Sequence, residues 1–244
     1  NITDATTDED IMTSSGLVIS RNAVDTEEVT HFKISSITNG KLYRNDGVTE
    51  IFDDDFITFA VGNAGLKFDP DEDYFGEGSI TIQAAIGDTG SDDLGGEQVP
   101  ATITIDSVND APSFTFDNII IEEDNGIYSA NWATNISPGS SNENDQVLTF
   151  TITNNDNEDL FSVGPSISDG LYNASGVLTF TTAANQYGEA LITVRLTDDG
   201  GTANDGEDTY ADQTFTIIIN PIADTPNITD ATTDEDIMTS SGLV

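Results

Sequence analysis

The stretch LTFTTAANQYGEALITVRL at 178–196 holds two runs in which apolar and polar residues alternate, and a turn joins them. Leu178 and Phe180 are the apolar positions of the first run, and Ile192, Val194 and Leu196 are those of the second. A period of two residues is typical of a β-strand with one buried face. The stretch therefore predicts two strands that flank a Tyr-Gly-Glu turn.

The same pattern occurs 112 residues earlier, in LKFDPDEDYFGEGSITI at 66–82. Both copies keep an aromatic-Gly-Glu turn, at 75–77 and at 187–189. Glycine adopts backbone conformations that other residues resist, so we interpret the turn as a requirement of the fold. Short alternating runs recur elsewhere, Asn45-Asp46-Gly47 predicts a hairpin, and no segment shows sustained helical periodicity. We expect an all-β chain of seven-stranded Greek-key sandwiches with an immunoglobulin-like arrangement.

Two repeats of longer range predict the domain organisation. The segment NITDATTDEDIMTSSGLV at 1–18 returns unchanged at 227–244, which gives a tandem array with a period of 226 residues. Within that period, DSVNDAP at 106–112 recurs in weaker form as NPIADTP at 220–226. We therefore predict one sandwich over 1–112, a diverged second over 113–226 and the first strand region of another copy over 227–244, all arranged end to end.

The charge of the chain restricts its partners. It has 45 Asp and Glu residues against 6 Lys and Arg, for a formal net charge of −39. Such a surface repels nucleic acid and anionic lipid and attracts cations. No apolar run reaches membrane-spanning length, so we expect neither a nucleic-acid partner nor direct membrane insertion. Solubility or a salty environment is an alternative explanation of the charge by itself.

The carboxylates cluster at the start and end of each predicted domain, in the loop before the aromatic-Gly turn and in the loop of the last hairpin. The candidate metal ligands are Glu9, Asp10, Asp71, Asp73, Asp106, Asp110, Glu123, Asp124, Asp198, Asp199, Asp224 and Glu235. Chain order suggests that the acids of 106–110 face those of 122–124 where one domain leads into the next.

Calcium is the ion that this set of residues favours. Two carboxylates about 4 Å apart repel by on the order of 1 kcal/mol even in a water-like dielectric, and a divalent cation reverses that sign. Calcium takes roughly 6–8 oxygen ligands and tolerates irregular geometry. The absence of cysteine and the single histidine argue against zinc or copper.

A family resemblance supports the same ion. The stretch DSVNDAPSF at 106–114 resembles the linker of cadherin repeats, although it is one residue shorter between Asp and Pro. The acidic pairs Glu9-Asp10 and Glu123-Asp124 resemble the openings of cadherin-like tandem repeats in large bacterial surface adhesins, as in the extender regions of RTX-type adhesins. The loop LTDDGG at 196–201 is similar to the acidic loop before the final strand of those repeats.

In that family the linker acids bind calcium and stiffen the array. Carried over position by position, the resemblance implies calcium ligands at Glu9, Asp106, Asp110, Glu123, Asp198 and Asp224. The second boundary departs from the first, because Asn220 and Ala223 stand where the first has Asp106 and Asn109. It is open from the sequence whether both junctions bind calcium equally.

The leading hypothesis is a calcium-stiffened extender, a monomeric rod of neighbouring repeats that projects the binding tip of a large extracellular adhesin away from the cell surface. One alternative is a module that binds a glycan or protein through the loops at 137–146 and 154–159. Another is homotypic cell–cell adhesion or filament formation. We do not expect an enzyme, because His31 lacks a neighbouring nucleophile motif. We expect the single tryptophan, Trp132, in a core rather than on a sugar-binding surface.

Overall fold

The computed structural model describes residues 1–25, 27–168, 172 and 175–228. These residues form an all-β chain of sandwiches that divides into two compact units. Unit 1 contains Asn1–Pro112 together with two later loops, Ser137–Val147 and Asp198–Thr209. Unit 2 contains Ser113–Ile136, Leu148–Thr197 and the described residues from Tyr210 onward. Of the fragment predicted at 227–244, all but the first two residues lie outside the described part of the chain.

Unit 1 is built from strands β1 to β8 and one short helix, α1. A five-stranded sheet has the order β1-β8-β7-β2-β5, and a three-stranded sheet has the order β4-β3-β6. The elements are β1 (Ala5–Asp8), β2 (His31–Thr38), β3 (Gly40–Arg44), β4 (Glu50–Ile51), β5 (Phe56–Thr58), α1 (Phe59–Asn63), β6 (Leu66–Pro70), β7 (Gly76–Ala85) and β8 (Leu94–Asp106).

The core of unit 1 lies between these two sheets. Ile34, Ile80 and Ile103 from the larger sheet are fully buried in one cluster with Leu42 and Phe68 from the smaller sheet. These side chains occupy the apolar positions of the alternating runs, so the period-two pattern places one face of each strand in the core. The alternation predicted from the sequence is confirmed for these strands.

The helix α1 is the element that the sequence pattern did not predict. It is a single turn, and the Thr58 hydroxyl caps it by accepting a hydrogen bond of 3.3 Å from the Val61 amide. A Cβ atom at Gly62 would lie 3.1 Å from side-chain atoms of Ile19 and Phe32, so these neighbours would have to move to make room for it. So short a helix has too few residues to show a helical period.

The hairpin predicted around Asn45-Asp46-Gly47 connects β3 to β4. Residues 45–49 make the turn, in which Oδ1 of Asp46 accepts hydrogen bonds of 2.9 Å from the amides of Val48 and Thr49. These amides are the main reason why the pKa of Asp46 is lowered to about 2.

Unit 2 is built from strands β9 to β16. One four-stranded sheet has the order β10-β16-β15-β12, and the other has the order β13-β14-β11-β9. The strands are β9 (Ser113–Thr115), β10 (Ile119–Glu122), β11 (Ile127–Ser137), β12 (Thr149–Asn155), β13 (Phe161–Ile167), β14 (Gly176–Thr182), β15 (Gly188–Thr197) and β16 (Gln213–Asn220).

Trp132 lies in the core of unit 2, as the sequence predicted. Its side chain is 5% exposed, and its ring centroid lies 4.2 Å from that of Phe215. The indole Nε1 donates a hydrogen bond of 2.8 Å to the carbonyl of Asp117, so the polar end of the ring is also satisfied.

The described residues contain no helix that is long and apolar enough to cross a membrane.

Candidate metal centre

Strand register brings the first acids of unit 1 to the end of its last strand. β1 pairs with β8 in parallel, from Ala5 opposite Ile103 to Asp8 opposite Asp106. Because parallel strands point the same way, the residues that follow both strands leave the sheet at one edge. The amide of Glu9 extends the pairing with a hydrogen bond of 2.9 Å to the carbonyl of Asp106.

Glu9 is a carboxylate with one satisfied and one unsatisfied oxygen. Its side chain is 2% exposed, and Oε1 accepts a hydrogen bond of 2.6 Å from the amide of Val108. Oε2 is buried and has no hydrogen-bond partner among the described residues. A buried carboxylate oxygen without a partner is costly, so this atom marks a place where a cation would be favourable.

Three aspartates lie beside Glu9. Each of Asp10, Asp73 and Asp110 offers a carboxylate oxygen, and these oxygens all lie within 4.8 Å of one another. The amide of Asp73 donates a hydrogen bond of 3.0 Å to Oδ1 of Asp10. Oδ2 of Asp110 is buried and, within the described residues, has no hydrogen-bond partner. Among the described residues, no salt bridge joins these three side chains to a lysine or an arginine.

Glu143 reaches this cluster from the loop Ser137–Val147, and its side chain is 4% exposed. Its Oε1 accepts a hydrogen bond of 3.0 Å from the amide of Asp110, and its Oε2 accepts one of 3.0 Å from the amide of Ser140. Ser140 and Glu143 form a capping box on the 3₁₀ turn Ser141–Glu143. The turn thus holds the carboxylate in one orientation.

Asp198 adds an acid from the loop Asp198–Thr209. Its Oδ1 accepts hydrogen bonds of 3.0 Å from Nδ2 of Asn109 and 2.9 Å from the amide of Gly200. Its Oδ2 is buried and has no partner in the part of the chain that the structure describes. Asn109 also donates to the carbonyl of Glu207 and accepts from Nε2 of Gln146 at 2.6 Å, so it links both loops to the end of β8.

The electrostatics of the cluster favour a cation. Burial is the main cause that raises the pKa of Glu9, Asp110, Glu143 and Asp198 above their ordinary values. Neighbouring acids add to the effect: Asp73 raises the pKa of Asp110, and Asp110 raises the pKa of Glu9 and of Glu143. Such groups are more easily protonated than exposed acids, because the hydrogen bonds that they accept offset the effect of burial only in part.

These residues fit calcium by their own chemistry. All the available donors are oxygens, and the buried Oε2 of Glu9, Oδ2 of Asp110 and Oδ2 of Asp198 are left unsatisfied by the described residues. Calcium accepts 6–8 oxygen ligands at 2.3–2.6 Å in flexible geometry, whereas magnesium requires near-octahedral geometry at about 2.0–2.1 Å. The irregular set of carboxylates on the segments of Glu9, Asp110 and Asp198 therefore suits calcium better than magnesium.

Three other predicted ligands of unit 1 lie around the cluster. The side chain of Asp106 is exposed, and the backbone carbonyl of Asp106 accepts a hydrogen bond from the amide of Glu9. Asp71 is exposed near Asp10 and Lys41, and its amide donates to the carbonyl of Asn39 at 3.1 Å. Oδ1 of Asp199 accepts a hydrogen bond of 2.8 Å from the amide of Val147, which joins the two loops of unit 1.

The remaining predicted ligands belong to the second half of the chain. In unit 2, Oε1 of Glu123 accepts a hydrogen bond of 2.7 Å from the amide of Ile222, and Oδ1 of Asp124 accepts one of 3.1 Å from the amide of Asn185. Asp224 is exposed. Glu235 lies outside the described residues.

Sequence reasoning did not identify Glu143, Asn109 or Gln146 as part of the site. The pattern Ser140-x-x-Glu143 is a capping-box signature that could have indicated an ordered turn in this loop. Nothing in the sequence indicated that the turn would lie against the amide of Asp110, because that contact depends on the fold of the whole loop.

Comparisons with known proteins found solved structures of low sequence identity. No protein-family model matches the sequence, and no curated protein matches it. Among solved structures, human protocadherin-24 EC1-2 aligns with a TM-score of 0.47 at 13% identity, over 92% of this chain and 95% of that chain. Drosophila N-cadherin EC1-4 aligns with a TM-score of 0.44 at 13% identity, over 82% of this chain and 44% of that one. The D00-D0 domain of intimin aligns with a TM-score of 0.33 at 14% identity, over 88% and 95%.

Proposed function

We propose that the acidic cluster of unit 1 binds calcium and that the ion stiffens the joint between successive sandwiches. The observation that carries this proposal is the set of buried, unpartnered oxygens on Glu9, Asp110 and Asp198 within the described residues. Calcium at these atoms would replace the missing partners and offset the burial and the neighbouring acids, which together raise the pKa of all three groups.

The stiffening follows from the connectivity of the chain. Glu143 lies on the loop between β11 and β12, and Asp198 lies on the loop between β15 and β16. Both loops belong to unit 1, whereas the strands that they connect belong to unit 2. Calcium bound at Glu9 and the aspartates beside it, and at the loop acids Glu143 and Asp198, would restrain these loops at the end of β8, and through them the joint.

A joint of this kind is best suited to an extender, a segment that holds other parts of a protein away from the cell. Identical segments at 1–18 and 227–244 support a tandem array, and a row of restrained joints holds an array extended. Extracellular calcium modules have dissociation constants of roughly 10⁻⁴–10⁻³ M, so calcium outside a cell fills such sites. We propose that the array is a structural spacer of a cell-surface adhesin and carries its binding tip.

The test is a calcium titration of the 244-residue chain by calorimetry, with Asp110→Asn as the probe. Removing this carboxylate should weaken calcium binding by about tenfold or more, because ligand charge sets the affinity of such sites. Asp224→Asn is the matched control, since Asp224 has the same place relative to a proline in the second half and is exposed. The control should bind calcium as the unchanged chain does.

Small-angle scattering and thermal unfolding test whether calcium stiffens the chain. In calcium the chain should show a larger maximum dimension and a higher melting temperature than in a chelator. If both quantities are the same in the two buffers, the chain is not a calcium-stiffened spacer.

A further inference from the structure

Both sandwiches end in the same local geometry. Oε1 of Glu9 accepts from the amide of Val108 at 2.6 Å, and Oε1 of Glu123 accepts from the amide of Ile222 at 2.7 Å. In both cases the acceptor and donor residues are 99 positions apart. The first strand also pairs in parallel with the last in each sandwich, β1 with β8 and β10 with β16. Glu123 is therefore the counterpart of Glu9.

The acidic residue that follows each of these glutamates shows where the two sandwiches differ. Oδ1 of Asp10 accepts from the amide of Asp73, and Oδ1 of Asp124 accepts from the amide of Asn185. Asp73 and Asn185 both have left-handed backbone, with φ of 55° and 54°. Asn185 thus occupies the position of Asp73, and the second sandwich lacks one of the three carboxylates that converge in the first.

The loops that complete the cluster in unit 1 also have counterparts. The amide of Asp198, one residue after β15, donates to the carbonyl of Asp208 at 3.1 Å. The amide of Ile86, one residue after β7, donates to the carbonyl of Asp93 at 2.9 Å in the same way. The first sandwich therefore presents Ile86, which is 61% exposed, where the second presents Asp198.

Glu143 has a weaker counterpart in Asp25. The amide of Glu143 donates to the carbonyl of Ser140 at 3.1 Å, and the amide of Asp25 donates to the carbonyl of Asn22 at 3.0 Å. Each acid precedes the start of a strand, β12 or β2, by the same number of residues. The side chain of aspartate is one methylene shorter, so Asp25 reaches less far than Glu143.

The repeat in the sequence determines which surfaces meet. Because 227–244 repeats 1–18, a copy of the first sandwich follows the second. The joint from first to second sandwich combines Glu9, Asp10, Asp73 and Asp110 with the loop acids Glu143 and Asp198. By this correspondence, the joint from a second to the next first sandwich would have Glu123, Asp124, Asp224 and Asp25 at the matching positions, with Asn185 and Ile86 at the other two.

We infer that the joints of the array alternate: the joint after each first sandwich binds calcium, and the joint after each second sandwich stays free of calcium and flexible. This inference rests on the proposed function of the cluster. The unit that calcium stiffens is then a pair of sandwiches of one 226-residue period, and the array bends once per period. The affinities of the two joints should differ by at least about tenfold, because ligand charge sets calcium affinity.

The test compares calcium stoichiometry in the 244-residue chain and in the same chain lengthened by one 226-residue period. Lengthening adds one joint of each kind. At calcium concentrations that saturate the 244-residue chain, the number of bound ions per chain should double. A threefold number would overturn the alternation and leave the proposed function standing. Failure of the 244-residue chain to bind calcium would overturn both.

A repaired joint gives an independent readout. Asn185→Asp combined with Ile86→Asp, introduced in every copy, should raise the stoichiometric ratio of the lengthened chain from two toward three. Ile86→Asn alone is the matched control, since it removes the exposed apolar side chain without adding charge, and its ratio should remain two. A ratio of two in the repaired chain would show that Asn185 and Ile86 do not set the difference between the joints.

Discussion

The Oε1 atom of Glu9 accepts a hydrogen bond from the amide of Val108, 99 residues further along the chain, while its Oε2 atom is buried without a partner in the described part of the chain. The first contact fixes the side chain at the end of β8. The second atom is therefore held at a position where the described residues supply no partner, as the proposed calcium site requires.

The substitution Glu9→Gln should have opposite effects with and without calcium. In a chelator it should raise the melting temperature, because it removes a buried charge that has no counter-ion. In calcium it should lower the melting temperature relative to the unchanged chain and weaken calcium binding by about tenfold or more. Glu123→Gln is the matched control, because Glu123 makes the same amide contact in unit 2, and it should leave calcium affinity unchanged. Equal effects of Glu9→Gln in both buffers would contradict this assignment.

Calcium affinity should fall as the pH is lowered from 7 toward 5. Burial raises the pKa of Glu9 and Glu143 above 4.5 and that of Asp110 and Asp198 above 3.8, and calcium needs all of them ionised. Calcium titrations from pH 7.5 down to about 4.5 measure this dependence. An affinity that does not change over the whole of this range would show that the four carboxylates are not ligands.

Without calcium, the pH dependence of stability should have the reverse sign. A carboxyl whose pKa is raised by folding stabilises the folded state most when it is protonated, below its ordinary pKa, and this contribution is lost as the pH rises through the raised value. The melting temperature in chelator should therefore rise on acidification from pH 7 toward about 4.5. Asp46, Asp93 and Asp212 have lowered pKa values, so their contributions are lost only below 3.8 and do not mask the effect. Asp198→Asn should flatten the profile.

Gly139→Ala should disrupt the loop that carries Glu143. Gly139 has φ of 151°, and a Cβ atom there would overlap Oε2 of Glu143 and lie 2.7 Å from Cβ of Asp110. We expect a loss of about 1–3 kcal/mol in the free energy of unfolding together with weaker calcium binding. Gly90→Ala is the matched control, because Gly90 has φ of 140° and nothing lies within 4 Å of the added atom. If both variants bind calcium equally well, backbone strain rather than collision with Glu143 explains the loss of stability.

Trp132→Phe should weaken unit 2 and leave the cluster unchanged. The substitution reduces packing against Phe215 and removes the hydrogen bond to the carbonyl of Asp117, so we expect a loss of about 1–3 kcal/mol. Chemical unfolding followed by circular dichroism measures this loss. A reduced calcium affinity in this variant would mean that the strands of unit 2 help to position the loops that carry Glu143 and Asp198.

The strands could be predicted from the sequence because their signal is local. Alternation at Ile80 and Ile82, or at Ile192 and Val194, follows directly from a sheet with one buried face, and the structure buries these side chains. The single turn α1 carries no such signal, because its existence depends on the Thr58 cap and on the space at Gly62.

The chemistry of the acidic site could be predicted from the sequence, but not all of the residues that form it could. Chain order suggested the acids of 122–124 as neighbours of Asp106 and Asp110. In the structure, segment 106–110 instead makes hydrogen bonds with Glu9 and Glu143. Strand order decides this, because β1 lies beside β8 and carries Glu9 to the strand end. A pairing between elements about 100 residues apart leaves no local trace in the sequence.

The parallel pairing of β1 with β8 also determines how one sandwich resists tension. The chain enters unit 1 at the start of β1 and leaves β8 at its far end, so a pull on both termini slides the two strands past each other. The hydrogen bonds between Ala5 and Asp8 on one side and Ile103 and Asp106 on the other lie across the direction of pull and share the load. They would have to break together rather than one after another, which makes forced unfolding slow and is consistent with the proposed role of a spacer.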